Sequence, residues 1–484
     1  MRTRSTRLAL VTLLLAELAA CRGGGNGGAR GGNHRGGAGG GSKSGGNEPA
    51  DVAGYTIQKV TLPDAPAAPT ADAPARQPNV ILIVLDTVRA MDLHLCGYER
   101  PTTPFLDDFT TRPGVTHTCH AYSPGTWTIP SHTSYFTGVP VSEHGYDSVS
   151  HGFGTDLPVL SEAMADRGYQ TVMVSANPTL SSASGLDRGF QHVTVAKTLR
   201  ELRGDETPRA VRKLLKAEAD LDKPLFLFVN VLDAHDPYPR VPENTGWVPA
   251  QDPVDFPVFD VGQDSEYHRY VRGELNAADT KAYETRVRNG YDWGLAMADR
   301  TLSLLIEVLR RDHWLDHGYR IVITSDHGEY LGEHGLLRHG CYTWEPVVRV
   351  PFVYVDSEHP EGVKLPEPFP SLQAYYLMMN GALRADVPTV SFSESREGDV
   401  KVGADMTALW TSNSEKLVAY PPGRYLFDLD KDPGELGREP LGEHPMRVIL
   451  DKFEAEHQAN LKAEREKVAS PERVMELEAL GYVQ

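Results

Sequence analysis

The chain has 484 residues, of which 40% are hydrophobic and 24% are charged, and its formal net charge is −18. This length is sufficient for one large folded domain and a smaller second one, and the composition is ordinary for a globular protein. A strongly acidic chain lacks the surplus of lysine and arginine that phosphate backbones require, so we expect no nucleic-acid partner.

The first 20 residues are predicted to be a signal peptide. The basic segment MRTRSTR precedes the apolar run LALVTLLLAELAA, which is too short to span a bilayer. The run ends in Leu18-Ala19-Ala20-Cys21, which resembles a bacterial lipobox in which Cys21 is lipidated. An ordinary secretory signal that happens to contain a cysteine is the alternative. We expect export in both cases, and the lipobox predicts a membrane-anchored lipoprotein in the periplasm or on the cell surface.

Composition divides the rest of the chain into three parts. Residues 21–77 are rich in glycine, then in proline and alanine, and predict a disordered linker. A first folded domain is predicted over 78–355 and a smaller C-terminal subdomain over 356–484. Cys96 and Cys119 are candidates for a disulfide in an oxidising compartment, although sequence alone does not decide the pairing.

Four short apolar runs predict strands that are buried on both faces: VILIVL (80–85), TVMVSA (171–176), LFLFVNVL (225–232) and RIVITS (320–325). Helical patterns lie between them, at 157–168 and 292–311. This alternation predicts an α/β fold with a central, mainly parallel sheet flanked by helices. In the C-terminal subdomain, a strand is predicted over 415–420 and a charged helix from about 444 to 468.

Three of the four runs lead into acidic or histidine residues. Asp86 follows the first run, Asp233 and His235 follow the third, and Asp326 and His327 follow the fourth. Because ligands of open α/β sheets bind beyond the carboxyl ends of the strands, we expect these side chains to converge. The alternative is that they only end the strands, as turn residues do.

The side chains of Asp86, Asp326 and His327 offer two carboxylates and an imidazole. This set suits one divalent cation, namely Mg²⁺, Ca²⁺ or Mn²⁺. Zinc is less favoured because few histidine and no cysteine ligands accompany the carboxylates.

The segment TWTIPSHTSYFTG contains a candidate nucleophile. Pro130 suits the first turn of a helix and Gly138 suits its C-terminal cap, so a helix is predicted over about 130–137. Thr128 would lie at the N-terminus of that helix, where free N–H groups favour an anion, and His132 would lie one turn along. The alternative is that Thr128 is only the N-cap residue.

Several segments resemble type I sulfatases of the alkaline phosphatase superfamily, in the same order along the chain. They are PNVILIVLDTVRA, RPTTPFLDDF, TWTIPSHTSYFTG, LDAHDPY, TSDHGEYLGEHGLLRHG, VRVPF and FDLDKDPGE. The resemblance covers residues 78–484. It implies the alkaline phosphatase and sulfatase fold and a divalent metal held by four residues: Asp86, Thr128, Asp326 and His327. It also implies that His235 and His339 act on the substrate.

The sequence departs from the family pattern at four positions. Thr128 replaces the cysteine or serine that sulfatases convert to formylglycine, and His132 replaces the arginine of the same motif. Thr87 stands where an Asp-Asp pair has its second carboxylate, and Ser175-Ala176-Asn177 stands in the region where the family has a lysine. A threonine cannot yield the aldehyde, so the sulfatase mechanism cannot operate unchanged.

A hydroxyl beside a divalent cation loses its proton more easily and can attack phosphorus or sulfur. Thr128 is therefore the predicted nucleophile, and His132, His235 and His339 are predicted to stabilise charge or to protonate the leaving oxygen. We expect a metal-dependent hydrolase of sulfate or phosphate esters, whose substrate is an anionic ester on a glycan or a lipid. The alternatives are a phosphodiesterase or phosphotransferase of the same superfamily and a catalytically silent, glycan-binding lipoprotein.

Overall fold

The computed structural model describes residues 51–52, 55–56, 62, 76–145, 157–182, 184–243, 245–256, 265–393, 406–420 and 423–468. The predicted signal peptide, Cys21 and nearly all of the predicted linker lie outside these ranges. Within these ranges, no helix is both long enough and apolar enough to span a membrane.

The strands of the described residues are numbered in chain order. They are β1 (Asp51–Val52), β2 (Tyr55–Thr56), β3 (Asn79–Leu85), β4 (Val115–Tyr122), β5 (Gln170–Ser175), β6 (His192–Val195), β7 (Leu225–Val231), β8 (Tyr319–Thr324), β9 (Tyr330–Leu331), β10 (Leu337–Arg338), β11 (Arg349–Asp356), β12 (Phe369–Pro370), β13 (Val390–Ser393), β14 (Met406–Trp410), β15 (Glu415–Tyr420), β16 (Gly423–Asp428) and β17 (Glu439–Pro440).

The helices are identified by their residues. The α-helices span Pro104–Phe109, Thr128–Thr137, Val141–His144, Leu160–Asp166, Glu206–Glu218, Glu266–Val271, Ala277–Arg311, Glu345–Val348, Gln373–Asn380 and Arg447–Val468. Short 3₁₀ turns span Ala90–Asp92, His94–Cys96 and Glu333–Gly335.

A large sheet of eight strands, in the order β12-β4-β11-β8-β3-β7-β5-β6, organises the fold. The five strands from β8 to β6 all run parallel, β11 is antiparallel to both of its neighbours, and β12 is parallel to β4. The four predicted apolar runs form β3, β5, β7 and β8, each within one residue of the predicted bounds. The prediction of an α/β fold with a mainly parallel central sheet is confirmed.

The alternating side chains of β3 explain why this strand is apolar throughout. Ile81 and Ile83 pack into a core on one face of the sheet, which also includes the long helix Ala277–Arg311. Leu82 and Val84 pack into a second core with the helices Thr128–Thr137 and Gln373–Asn380. Every residue of β3 is buried, as expected of a central strand covered by helices on both sides.

The C-terminal part forms a second sheet, an antiparallel meander in the order β13-β14-β15-β16-β17. The predicted strand over 415–420 is β15, and the predicted helix is present as Arg447–Val468. The large sheet extends beyond the boundary predicted at 355, because β12 pairs with β4. Phe392 of β13 donates a backbone hydrogen bond to Pro124 O at 3.0 Å, so the second sheet is joined to the segment that leads to Thr128.

Cys96 and Cys119 form a disulfide, which joins the loop after β3 to β4. The candidate pairing from the sequence is thus confirmed.

Candidate functional site

The predicted metal ligands meet at the carboxyl edge of the large sheet. Asp86 directly follows β3, and Asp326 and His327 follow its parallel neighbour β8, so both strands deliver their last side chains to the same edge. One ligand atom from each of the three residues lies within 4.8 Å of the others, and all three side chains are fully buried. Ligand atoms this close together could all contact one bound cation.

Each of these three residues keeps one polar atom without a hydrogen-bond partner. Asp86 Oδ2 accepts hydrogen bonds from the amides of Asn177 and Asn230, both at 2.9 Å, while Oδ1 accepts none. Asp326 Oδ1 accepts from its neighbour's backbone N–H at 3.0 Å, while Oδ2 has no hydrogen-bond donor. His327 Nδ1 lies 2.9 Å from Gly328 O, while Nε2 makes no hydrogen bond and lies 3.3 Å from Asp326 Oδ2. Buried polar atoms are rarely left in this state, so the cluster is suited to a cation.

The two carboxylates differ in their electrostatic surroundings. Burial, together with the nearby charge of Asp326, raises the pKa of Asp86 above its ordinary value. Burial also acts to raise the pKa of Asp326, but His327 and His132 outweigh it and lower the pKa to about 2. Two carboxylates this close repel each other, and a cation between them would relieve the repulsion.

Thr87 directly follows Asp86 and forms hydrogen bonds with both candidate carboxylate residues. Its N–H donates to Asp326 Oδ1 at 3.3 Å, and its hydroxyl donates to Asp86 O at 2.7 Å. The residue has a φ of 60°, in the left-handed region that β-branched residues rarely adopt. Tyr291 supports this backbone by donating its hydroxyl to Thr87 O at 2.8 Å.

The helix that carries the predicted nucleophile begins at Thr128, so the predicted start near 130 was two residues late. Trp127 is the N-cap residue, with extended backbone, and the alternative of Thr128 as the N-cap was wrong. Ile129 and Pro130 therefore lie in the first turn, where a proline costs no hydrogen bond. Gly138 ends the helix with a φ of 74°, as predicted for a glycine cap.

The Thr128 hydroxyl shares one amide group with the candidate metal ligands. Asn177 Nδ2 donates to Thr128 Oγ1 at 3.3 Å and to Asp86 Oδ2 at 2.9 Å. Thr128 is fully buried. The Thr128 hydroxyl and the Asp86 carboxylate thus accept hydrogen bonds from the same Asn177 amide. This amide links the helix N-terminus to the end of β3.

His132 lies beneath the site, where it joins the helix to Asp326. Its Nδ1 is 2.8 Å from Thr128 O and 3.5 Å from Asp326 Oδ2. Its ring packs edge-on against the aromatic rings of Tyr135, Phe136 and Phe228. This environment holds the imidazole rigidly between the first helical turn and a carboxylate.

His235 and His339 stand beside the candidate metal ligands. Their ring centroids are 5.3 Å apart, and the ring of His339 is 4.3 Å from that of His327. Both side chains are fully buried. The structure thus brings together every residue that was predicted to be catalytic or metal-binding, while those roles stay predictions. Asp233, which was expected to converge with them, instead accepts hydrogen bonds from Gly204 N at 2.7 Å and from the Thr301 hydroxyl at 2.9 Å.

Each of the two histidines is oriented through its Nδ1 atom. His339 Nδ1 is 2.9 Å from Glu329 Oε1, and Tyr238 donates to the other oxygen of the same carboxylate at 3.1 Å. His235 Nδ1 is 2.5 Å from Asp236 O. Arg203 donates three hydrogen bonds to the carbonyls of residues 235, 236 and 237, at 3.0, 3.1 and 3.0 Å, and so fixes the turn that carries His235.

Sequence reasoning gave no role to Asn177 or Asn230, although both contact site residues. Asn230 lies inside the apolar strand β7, and a polar residue in a strand buried on both faces was a usable signal, because buried amides need partners. From the sequence alone, Glu329 in the segment TSDHGEYLGEHG is either a residue that supports the site or a loop residue, and its contact with His339 at 2.9 Å favours the former. Asn177 offered no local signal, since its partners Asp86 and Thr128 are 91 and 49 positions away.

Comparison with known proteins identifies the family. The sulfatase family model matches residues 78–372, whereas no curated protein matches the sequence. A phosphonate monoester hydrolase of Agrobacterium radiobacter is similar with a TM-score of 0.59 and 17% identity, over 80% of this chain and 96% of that chain. The corresponding values for the phosphonate monoester hydrolase SpPMH of Silicibacter pomeroyi are 0.57, 16%, 80% and 96%.

A third similar structure is that of BT4656 in complex with its substrate D-glucosamine-2-N,6-O-disulfate, with a TM-score of 0.53 and 16% identity, over 80% of this chain and 99% of that chain. At these identities the likeness shows a shared fold. The family model covers more than half of the chain and most of the large sheet. The chain therefore belongs to the sulfatase family, whose members are ester-hydrolysing enzymes of the alkaline phosphatase superfamily.

Proposed function

We propose that this chain is a metal-dependent hydrolase of an anionic sulfate or phosphate ester, with Thr128 as its nucleophile. The observation that carries the proposal is the Asn177 amide, which donates both to the Thr128 hydroxyl and to the Asp86 carboxylate. The amide thereby holds the proposed attacking oxygen, Thr128 Oγ1, close to Asp86, which is a candidate metal ligand. A threonine that served only as a helix cap would have no need of this contact.

The donor set supports a single hard divalent cation. Asp86 Oδ1, Asp326 Oδ2 and His327 Nε2 are buried atoms without hydrogen-bond partners, and two carboxylates with one imidazole suit Mg²⁺, Ca²⁺ or Mn²⁺ better than Zn²⁺. Such a cation, when bound, supplies positive charge that lowers the pKa of a neighbouring alcohol and offsets charge on the ester oxygens. The Thr128 hydroxyl is the proposed fourth ligand.

The residues of the chain divide the remaining work between them. Thr128 Oγ1 attacks the phosphorus or sulfur atom, and the bond from that atom to the ester oxygen breaks. One of His235 and His339 takes up the proton that Thr128 releases, and the other gives a proton to the departing oxygen. Water then cleaves the ester on Thr128 and restores the hydroxyl. His132 keeps the first turn of the helix fixed against Asp326 throughout.

Both sulfate and phosphoryl esters are compatible with this mechanism, because neither displacement requires an aldehyde. The similar structures include two phosphonate monoester hydrolases and a protein that binds a sulfated glucosamine. These neighbours support an anionic ester, and a sulfated or phosphorylated glycan is the substrate class that we favour over a lipid.

A substrate panel tests the proposal. Purified protein is stripped of metal, loaded separately with Mg²⁺, Ca²⁺, Mn²⁺ or Zn²⁺, and assayed on p-nitrophenyl sulfate, p-nitrophenyl phosphate, bis-p-nitrophenyl phosphate and a phenylphosphonate ester. We expect metal-dependent turnover of at least one ester, its loss in Thr128→Ala, and partial activity in Thr128→Ser, which keeps a hydroxyl. Turnover by Thr128→Ala at the wild-type rate would refute the role of Thr128.

We also propose that the chain is an exported lipoprotein anchored through Cys21. The support is the lipobox alone, since residues 1–50 lie outside the described ranges. The wild-type protein is expected in the membrane fraction of a bacterial host and Cys21→Ser in the soluble fraction, with a lipid-modified N-terminal peptide detected by mass spectrometry. Equal distribution of the two proteins between the fractions would contradict the anchor.

A further inference from the structure

A group of half-exposed aromatic side chains lies beside the loop that carries His339. The ring centroids of Tyr342 and Tyr420 are 5.8 Å apart. The guanidinium carbon of Arg438 lies 4.9 Å from the ring centroid of Tyr420 and 5.9 Å from that of Tyr425. The three tyrosines are partly exposed, and Arg438 is exposed. We refer to Tyr342, Tyr420, Tyr425 and Arg438 as the tyrosine–arginine platform.

The charge of Arg438 is not neutralised by the described part of the chain. No carboxylate of a described residue forms an ion pair with it, whereas Arg424 of β16 pairs with Asp451 and with Glu454. The chain as a whole carries a net charge of −18, so an arginine held on aromatic rings without an acidic partner is unusual on this surface. An arginine in this state is available to bind an external anion.

The platform rests on a rigid base. Trp344 lies beneath it, with the buried Lys416 ammonium 5.8 Å from its ring centroid, and Lys416 is 2.6 Å from Glu435 Oε1. Tyr342 itself has a φ of 45°, a conformation that bulky residues rarely adopt. The Tyr330 hydroxyl donates to Tyr342 O at 3.3 Å and helps to hold this backbone. The ring of Tyr342 is therefore fixed in place before any ligand binds.

The chain segment that carries Tyr342 of the platform lies beside the segment that carries Thr128, the proposed nucleophile. Gly340 N donates to Thr126 O at 2.9 Å, so the loop after His339 is hydrogen-bonded to the residues that precede Thr128. Tyr342 follows Gly340 by two residues, a distance of about 7 Å at most between their Cα atoms. A ligand larger than a single ester group can thus contact both places.

We propose that the tyrosine–arginine platform binds the sugar rings and a second anionic group of a charged oligosaccharide. This inference rests on the proposed function, in which a first anionic ester of the same molecule lies at Thr128. The apolar C–H face of a sugar ring packs on the Tyr342 ring, and the guanidinium of Arg438 binds a sulfate or phosphate on a neighbouring sugar. The platform would therefore select multiply charged oligosaccharides over simple esters.

Calorimetric titration on the Thr128→Ala background tests this inference, because that variant is expected to bind without turnover. The probes are heparin, chondroitin sulfate and ι-carrageenan tetrasaccharides, each with its desulfated counterpart, together with inorganic sulfate. Tyr342→Ala, Tyr342→Phe and Arg438→Gln are compared on this background, and Arg209→Gln, on the exposed face of the helix Glu206–Glu218, is the charge-matched control.

We expect at least one sulfated tetrasaccharide to bind, with Kd raised about tenfold by Tyr342→Ala or Arg438→Gln and unchanged by Tyr342→Phe. Arg438→Gln should also reduce the preference for the sulfated over the desulfated form. Failure of every tetrasaccharide to bind, or binding by the platform variants that equals that of Arg209→Gln, overturns the inference. Binding without any ester turnover by the wild-type protein would support the platform and refute the proposed hydrolase.

Discussion

Replacing Asn177 with alanine removes the amide that joins the Asp86 carboxylate to the Thr128 hydroxyl. The two hydrogen bonds that the amide donates are lost, at 2.9 Å to Asp86 Oδ2 and at 3.3 Å to Thr128 Oγ1, together with those that Asn177 Oδ1 accepts from the N–H and the hydroxyl of Thr179. A hydrogen bond to a buried charged group contributes about 1.5–3 kcal/mol. Mutation of a residue that orients a metal ligand typically lowers the metal affinity about 10- to 100-fold. A loss of this size corresponds to a free energy similar to that given for the hydrogen bond.

Asn230 offers a matched control, because its amide donates to the same Asp86 oxygen at 2.9 Å and has no contact with Thr128 among its hydrogen bonds. Activity is measured on the best ester of the panel as Mn²⁺ is titrated into the metal-free protein. We expect Asn177→Ala and Asn230→Ala both to raise the half-saturating Mn²⁺ concentration about 10- to 100-fold. At saturating Mn²⁺, Asn177→Ala should have the lower kcat, since it also loses the contact with the nucleophile.

Two results would count against this reasoning. If neither variant changed the half-saturating Mn²⁺ concentration, Asp86 would not be a metal ligand. If the two variants had the same kcat at saturating Mn²⁺, the contact between Asn177 and Thr128 would have no part in the chemistry. Circular dichroism and thermal unfolding of both variants check that the fold is retained.

Three further predictions concern the surroundings of the site and the stability of the fold. Glu329→Gln removes the charge beside His339 Nδ1 and should lower kcat about tenfold with little change in KM; equal changes in both would contradict a role in orienting the imidazole. Burial raises the pKa of Glu435 to about 7 from an ordinary 4.5, so the folded state retains a proton that the unfolded state releases in this window. The free energy of unfolding should therefore fall by about 3 kcal/mol as the pH rises from 4.5 to 7, and urea unfolding of Glu435→Gln should lack this part of the pH dependence. Cys96→Ser opens the disulfide to Cys119, whose sequence separation is 23, and should lower the free energy of unfolding by about 3 kcal/mol, measured by denaturant titration against the oxidised wild type.

The central strands and the metal cluster could be predicted because their signals are local. Each of β3, β5, β7 and β8 is a continuous apolar run, and parallel strands deliver the residues that follow them to one edge of the sheet. Asp86, Asp326 and His327 needed no further information to be placed together. The disulfide was a reasonable candidate for a different reason, because the chain contains few cysteines that could pair.

Other elements escaped prediction for physical reasons. β4 mixes threonine and histidine with apolar residues and is only partly buried, so its pattern does not stand out from a loop. β11 contains Pro351, which argues against a strand, and the structure accommodates it where the register shifts between Val350 and Phe352. The helix start was misplaced because Pro130 marked the first turn without fixing which residue of that turn it occupied.

The exchanges at Thr128 and Asn177 are best understood together. In the pattern that this sequence resembles, a lysine stands in the region of Asn177 and an aldehyde precursor at Thr128. A neutral amide gives Asp86 a hydrogen bond without adding a positive charge, so the carboxylate keeps its full attraction for a cation. The same amide donates to Thr128 Oγ1, which makes that oxygen an acceptor and turns its own hydrogen away from Asn177. In the proposed mechanism, the alcohol of Thr128 needs both effects, a strong cation site and a fixed lone pair, because it has no second hydroxyl of the kind that an aldehyde hydrate carries.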